Sequence, residues 1–471
     1  MGARLAALAL LAILAAGCGS AGGGTSASDG AGLVPADALA YLTVNTDLGS
    51  GQLGSAQSVL DKFPIKEKLL GQIRSSLRKQ GVDLDALKAS IGPELDIAVL
   101  KVNGRTNAVG LTQPKDEQAF EAQLAKGSSP PVHTRIDGWT VFSDKQPFLD
   151  AVKNRTTNLA DDARYQAALK TLPGAGDAIA TAYVSSAGAR TATSSLGQAG
   201  GSFGPLGSFG SLGGDAKWAA AALTSADGAF KLEVHSKTTV GSTATTGVGL
   251  AGEIPSGAIV ALSVTGGGRA IPARTRQQLD GFGQQLGVDL PSLVDALNGP
   301  VIAYVRPGLP LPEITVAAKP AHPENAVKAI GGLLARLGSG LARPVPTQVD
   351  GGTLNKLDLG SFAVYYGVAG GKLVVTDSAN ALAELKGSVG RLTGDGVFKE
   401  AKDAAGMGDD DQGFLFVDLK DALPAIDGFA QLANQNLPPN VEQNLRPLRS
   451  LLVFGSRAGD LQSLVAYLKT S

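Results

Sequence analysis

The one cysteine of the chain, Cys18, closes the stretch Leu14-Ala15-Ala16-Gly17-Cys18, directly after an apolar run from Leu5 to Ala16. A thiol at this spacing is the nucleophile that accepts diacylglycerol at a bacterial lipobox. The small Gly17 leaves the preceding peptide bond open to a signal peptidase. Cleavage between Gly17 and Cys18 makes the cysteine a new, acylated N-terminus. The run is too short for a resident helix, because crossing a bilayer takes about 20 apolar residues. Residues 1–17 therefore read as a lipoprotein signal peptide. The position three before the cysteine is Ala15 where Leu is commoner, and Arg4 is the only basic residue ahead of the run. An unlipidated secretory signal is the alternative.

No other residue pattern assembles a reaction. Gly247-Val248-Gly249-Leu250-Ala251-Gly252 matches the dinucleotide-binding G-x-G-x-x-G in letters. That loop has to open a helix whose N-terminus holds the pyrophosphate, whereas Pro255 and a strand-like run from Ala258 to Val264 follow here. The segment reads as a linker. P-loop, G-x-S-x-G and H-E-x-x-H patterns are missing from the sequence, and thiol catalysis has no second cysteine to call on. Asp409-Asp410-Asp411 lacks the alternating oxygen ligands and final Glu of a calcium loop and reads as an acidic turn. Of the three histidines, His235 alternates with Glu233 and Lys237 and is expected on a solvated strand face, His322 in a turn, and His133 at a hairpin strand. Neither a metal nor a cofactor is implied.

The 471 residues carry 41 Lys+Arg against 42 Asp+Glu, without a basic stripe to neutralise phosphates, so a nucleic-acid partner is not expected. With Cys18 acylated, stability has to come from packing without disulfides. Length allows two or three domains.

Internal similarity sets the architecture. Val34-Pro35-Ala36-Asp37-Ala38-Leu39-Ala40-Tyr41-Leu42-Thr43-Val44 returns as Ile254-Pro255-Ser256-Gly257-Ala258-Ile259-Val260-Ala261-Leu262-Ser263-Val264. Gly81-Val82-Asp83-Leu84 returns as Gly287-Val288-Asp289-Leu290, each followed by a Gly-Pro stop at Gly92-Pro93 and Gly299-Pro300. Tyr165 aligns with Phe398, Tyr183 with Phe416, and Lys237-Thr238 with Lys469-Thr470. An ordered series of this kind predicts a duplication. The expected fold is α+β, with two similar domains that each pack helices on a largely antiparallel sheet. The expected boundaries are a tether over 18–32, copy 1 over 33–238, a linker over 239–252 and copy 2 over 253–471. Asp83, Asp289, Asp144 and Asp377 each precede a helical pattern and are expected to cap it. The Gly-Pro stops are expected to end helices through a left-handed glycine.

The copies differ at two places. Copy 2 has extra strand-like sequence around Ser361 to Tyr366. Copy 1 carries a Gly/Ser-rich stretch from Thr191 to Asp215 with Phe203, Leu206, Phe209 and Leu212 embedded in it. Phe203, Leu206 and Phe209 form a candidate ligand loop, since flexible backbone bearing separated apolar groups can close over a variable surface. Capping of the domain's own core is the plainer reading.

The segment Leu33-Val34-Pro35-Ala36-Asp37-Ala38-Leu39-Ala40-Tyr41-Leu42-Thr43-Val44-Asn45, with Phe63-Pro64 after it, resembles the actinobacterial envelope-protein family catalogued as domain of unknown function 3352. The resemblance implies an exported protein and brings no catalytic residue with it. The expectation is an extracytoplasmic lipoprotein, anchored to the cell membrane through Cys18, that is non-catalytic and binds or scaffolds an envelope component. A carrier or sensor of an apolar, lipid-like ligand is the alternative, and an enzyme ranks third.

Overall fold

The computed structural model describes residues 29–47, 49–79, 83–126, 130–196, 216–239, 250–271, 273–308, 312–337, 343–360, 362–409, 413–432 and 437–471, and structural statements concern these residues. The fold is α+β, with helices packed on one large antiparallel sheet of 18 strands. The first half of the chain supplies β1 (Ala40–Asn45), β2 (Glu94–Val102), β3 (Arg105–Thr112), β4 (Val132–Ile136), β5 (Trp139–Ser143), β6 (Ala180–Ser185), β7 (Ala216–Ala226) and β8 (Ala229–Thr238). The second supplies β9 (Val260–Thr265), β10 (Pro300–Arg306), β11 (Glu313–Ala318), β12 (Val345–Val349), β13 (Gly352–Asp358), β14 (Ala363–Ala369), β15 (Lys372–Thr376), β16 (Gly413–Asp418), β17 (Leu448–Ala458) and β18 (Leu461–Thr470).

The two sets do not interleave. They meet at a single seam, where β8 pairs with β18 from Leu461↔Lys237 to Lys469↔Ala229. Outward from the seam on one side the order is β8, β7, β6, β1, β2, β3, β5, β4. On the other side it is β18, β17, β16, β9, β10, β11, β15, β14, followed by the added hairpin strands β13 and β12. The registers match as well. Hairpin β7–β8 runs from Ala216↔Thr238 to Ala226↔Ala229, with a bulge between Ala216 and Trp218. Hairpin β17–β18 runs from Leu448↔Thr470 to Ala458↔Leu461, with its bulge between Leu448 and Ser450. Across the seam, Thr238 N–H donates to Asp460 O and Thr470 N–H donates to Gly228 O, each at 2.9 Å.

Local sequence explains the hairpins. Asn103-Gly104, Asp137-Gly138 and Asp227-Gly228 all adopt positive φ, the backbone that two-residue turns between twisted strands require. Aspartates start several helices. Asp83 accepts from the N–H groups of Asp85 and Ala86, and Asp289 from that of Ser292. Asp162 and Asp395 do the same at helices Ala163–Lys170 and Gly396–Ala405. Asp144 and Asp377 do not cap. Lys145 and Asn380 occupy those cap positions without a side-chain bond, and Asp377 instead accepts from Ile314 N–H at 2.7 Å, which ties it to the neighbouring strand. The Gly-Pro stops also work differently from expectation. Gly92 and Gly299 are not left-handed; a Cβ there would come within 2.0 Å of Gln113 O and 2.2 Å of Lys319 O, so close backbone approach demands glycine.

Each half has its own principal core. In the first, Tyr41, Tyr165 and Tyr183 meet edge to face, with ring centroids 6.0 and 5.3 Å apart, beside Trp139 and Trp218. In the second, Phe398 touches Phe414 and Phe416 at 5.2 and 5.1 Å. The cores reach across the seam: Ala229 belongs to the second and Leu461 packs on the first. Among the described residues, no helix is long and apolar enough to cross a membrane.

Candidate functional site

Gly17, Cys18, Phe203, Leu206 and Phe209 lie outside the described residues. Residues 29–32, at the end of the expected tether, form part of the 3-10 turn Asp29–Leu33, and Ala31 of that turn is buried.

Two polar constellations stand out, both in the first half. The first is interior. Asp96 on β2 is fully buried and faces Thr43 across the β1–β2 pair, with Glu94 two residues before it on the same strand face. Its carboxyl lies against Gly30, where a Cβ would fall 1.8 Å from Asp96 Oδ2. Burial, then the Glu94 carboxylate, pushes the Asp96 pKa well above the usual carboxylate range; the hydroxyls of Thr43 and Tyr41 offset part of that push. The Tyr165 hydroxyl is raised by burial and by both acids, and that of Tyr183 is pushed up to about 12, chiefly by burial. In the second half, Ser263 faces Ile302 at the register where Thr43 faces Asp96. Phenylalanines Phe398 and Phe416 take the places of Tyr165 and Tyr183 in the sequence alignment. The cluster thus sets a buried acid of raised pKa against Gly30 of the Asp29–Leu33 turn.

A pH dependence follows. An acid whose folded pKa exceeds its unfolded one contributes fully below the unfolded value and loses that contribution as pH rises toward the folded value. Asp96→Asn keeps the shape and removes the titration. At about pH 8 the variant is expected to exceed the wild type in urea stability by about 1–3 kcal/mol, the cost of folding around a carboxyl that ionises more readily when unfolded, with the gap closing toward acid. A variant less stable by the same amount at every pH would reject this account.

The histidines do not converge. His133 is 3.6 Å from Glu121 on a half-exposed strand, and His322 precedes the helix Pro323–Leu337. His235 overturns its expected place on a solvated face. It is 9% exposed, whereas Leu232, on the opposite face of the strand, is 39% exposed. The reason is that β8 is flanked by β7 and β18 and its polar face is the inner one; burial lowers the His235 pKa, with Glu233 acting against that. Among the described residues, no group of three metal-ligating side chains occurs.

The second constellation is a cleft of about 660 Å³ between helices Ala163–Lys170 and Ser186–Leu196 and the start of the β7–β8 hairpin. Four cations, Arg164, Arg190, Lys217 and Lys237, line it together with Ala167 and Trp218. Arg164 pairs with Asp162 at 2.8 Å, and Lys237 with Asp460 at 3.4 Å. Lys217 is exposed, occupies the β7 bulge and has no acidic partner among the described residues. The sequence reading missed this cleft because its charges are scattered over more than seventy positions in a chain of balanced charge and never form a run. The available signal was a difference between the two halves of the sequence. Ala167, five residues after the capping Asp162, aligns with Glu400, five after the capping Asp395.

No family model matches the chain, and no curated protein matches it. Among solved structures, the chain is similar to TP0453 in three crystal forms. Form IV is 14% identical over 44% of this chain and 75% of that one, with a TM-score of 0.25. Form III is 15% identical over 47% and 79%, and form I is 13% identical over 46% and 81%, each with a TM-score of 0.26. Likeness at these TM-scores carries no argument about this chain's fold or function.

Proposed function

We propose that the chain is an exported lipoprotein, held on the extracytoplasmic face of the cell membrane by acyl groups on Cys18, with a non-catalytic binding or scaffolding role in the envelope. The observation that carries this reading is the placement of the sole cysteine after Leu5 to Ala16, with Gly17 before it. The Gly/Ser-rich residues that follow then act as a tether, and the buried turn Asp29–Leu33 is where the folded body begins. The basic lining of the cleft favours an anionic ligand over the wholly apolar one of the alternative carrier reading.

The body itself we take to be a duplication of an α+β unit. The matching strand order and hairpin registers on the two sides of the seam support it. Glu233 and Val465, equivalent residues of the two hairpins, stand directly opposite each other, where a local two-fold axis would pass. Residues 33–238 and 253–471 are the two copies.

Cys18→Ser is expected to move the protein from the membrane fraction to the soluble extracytoplasmic fraction and to abolish labelling by a fatty-acid analogue. Its unfolding temperature should stay unchanged, because Cys18 precedes every element of the body. Continued labelling of the variant, or full membrane retention, rejects the anchor.

A further inference from the structure

We propose that the basic cleft of the first half is a binding site for a phosphate-bearing anion, and that it arose when one copy of the repeat lost the carboxylate that neutralises the other. The argument rests on the duplication reading above. In the second half, Glu400 faces Arg449 Nε at 3.8 Å and Lys469 Nζ at 3.6 Å. Arg449 occupies the β17 bulge, as Lys217 occupies that of β7, and Lys469 aligns with Lys237. The same pair of cations therefore recurs in the first half, but the helix above them presents Ala167 in place of Glu400.

The first half then adds charge where the second has none. Arg164, two residues after its cap, corresponds to Val397, two after its own. Arg190 extends the lining from helix Ser186–Leu196. Of the four cations, Arg164 and Lys237 have one carboxylate each, while Lys217 has none among the described residues. The outcome is a local positive excess in a chain whose overall charge is −1. Concave walls of low polarisability concentrate such a field. Guanidinium groups hold phosphate through paired N–H donors, and ammonium groups add point charge, so two arginines with two lysines suit a phosphate monoester or diester. Such a group comes either on a lipid headgroup or free in solution.

The test uses the full chain carrying Cys18→Ser, so that no acyl anchor contributes. Flotation with vesicles of phosphatidylcholine, with and without phosphatidylglycerol, examines the headgroup source; calorimetry with inorganic phosphate examines the free one. We expect binding to the anionic vesicles that weakens with salt and is missing with phosphatidylcholine alone. Ala167→Glu, which installs the arrangement of the second half on an exposed helix position, should weaken it by about tenfold or more, and Lys217→Gln by several-fold, the scale of one or two charge-assisted hydrogen bonds. Glu400→Ala should not weaken it. Competition by inorganic phosphate would identify the phosphate group alone as the ligand, while vesicle binding without competition would identify the membrane-embedded headgroup. Loss with Lys217→Gln but retention with Ala167→Glu keeps the site and rejects the equivalence of Ala167 with Glu400, and with it this use of the duplication. Binding unchanged in both variants, or no binding to either probe, overturns the proposal.

Discussion

Phe398→Ala should destabilise the whole body by about 3–5 kcal/mol and shift the unfolding of both halves together. The ring is 2% exposed on helix Gly396–Ala405 and meets Phe414 and Phe416 of β16, so truncation removes apolar contacts and leaves a cavity that this close-packed core cannot collapse. Both tryptophans, Trp139 and Trp218, are buried in the first-half core. Fluorescence therefore reports the first half, while far-ultraviolet circular dichroism reports the entire sheet. If the second half melts, β8 loses β18 along nine registered pairs, from Lys237 to Ala229, and becomes an open edge. Ala229 would also lose the second core and Leu461 would leave the first. That cost couples the halves. Urea transitions by the two probes should coincide in the wild type and remain coincident, at lower urea, in Phe398→Ala. A fluorescence midpoint that stays at the wild-type value while dichroism falls would show the halves to be thermodynamically separate.

Motifs shared by the two halves of the sequence made much of the topology legible. Paired motifs such as Leu42-Thr43-Val44 with Leu262-Ser263-Val264, and Tyr183 with Phe416, run in the same order in sequence and fall on corresponding strands of the two sides of the sheet. Turns written as Asn-Gly or Asp-Gly declared their hairpins because few other residue pairs tolerate that backbone. The seam was not legible. No local pattern states that β8 would pair with β18 and thus bury Glu233 and His235, whose alternation with Leu232 and Val234 reads equally well with either face inward. The buried Asp96 was hidden for a similar reason: in Glu94-Leu95-Asp96-Ile97 the acids mimic a solvated face, and only the turn Asp29–Leu33 lying over them makes it an interior. The basic cleft needed both a bulge and a helix cap to bring Lys217 and Arg164 to one opening. Cys18 stands apart, since its reading depends on covalent chemistry at a linear motif and not on any packing.

Val465→Pro should cost roughly 2–4 kcal/mol and, unlike Phe398→Ala, pull the two probes apart. Val465 is at the middle of β18, between Glu233 of β8 and Phe454 of β17, and is 5% exposed. Proline has no N–H for the ladder, and in a strand flanked on both sides the abandoned carbonyl cannot turn to water. The loss of one buried bond, the orphaned acceptor and the disturbed packing add up to that range. The damage falls where the halves are joined. Each side of the seam retains its own hairpin, with β7 on β8 and β17 on β18, so the first core loses less than the second, to which Val465 itself belongs. Dichroism should therefore fall first and tryptophan fluorescence later, in two resolved steps. An unregistered sheet contact, by contrast, would tolerate the proline by sliding, and both midpoints would hold at their wild-type values. The cross-seam bonds from Thr238 to Asp460 and from Thr470 to Gly228 oppose sliding, because they fix both ends of the pairing at once. A slip of one residue would also carry Glu233 and Val465 to the opposite face of the sheet and expose the second core. A single coincident transition at the wild-type midpoint would sink the claim that the seam couples the two halves.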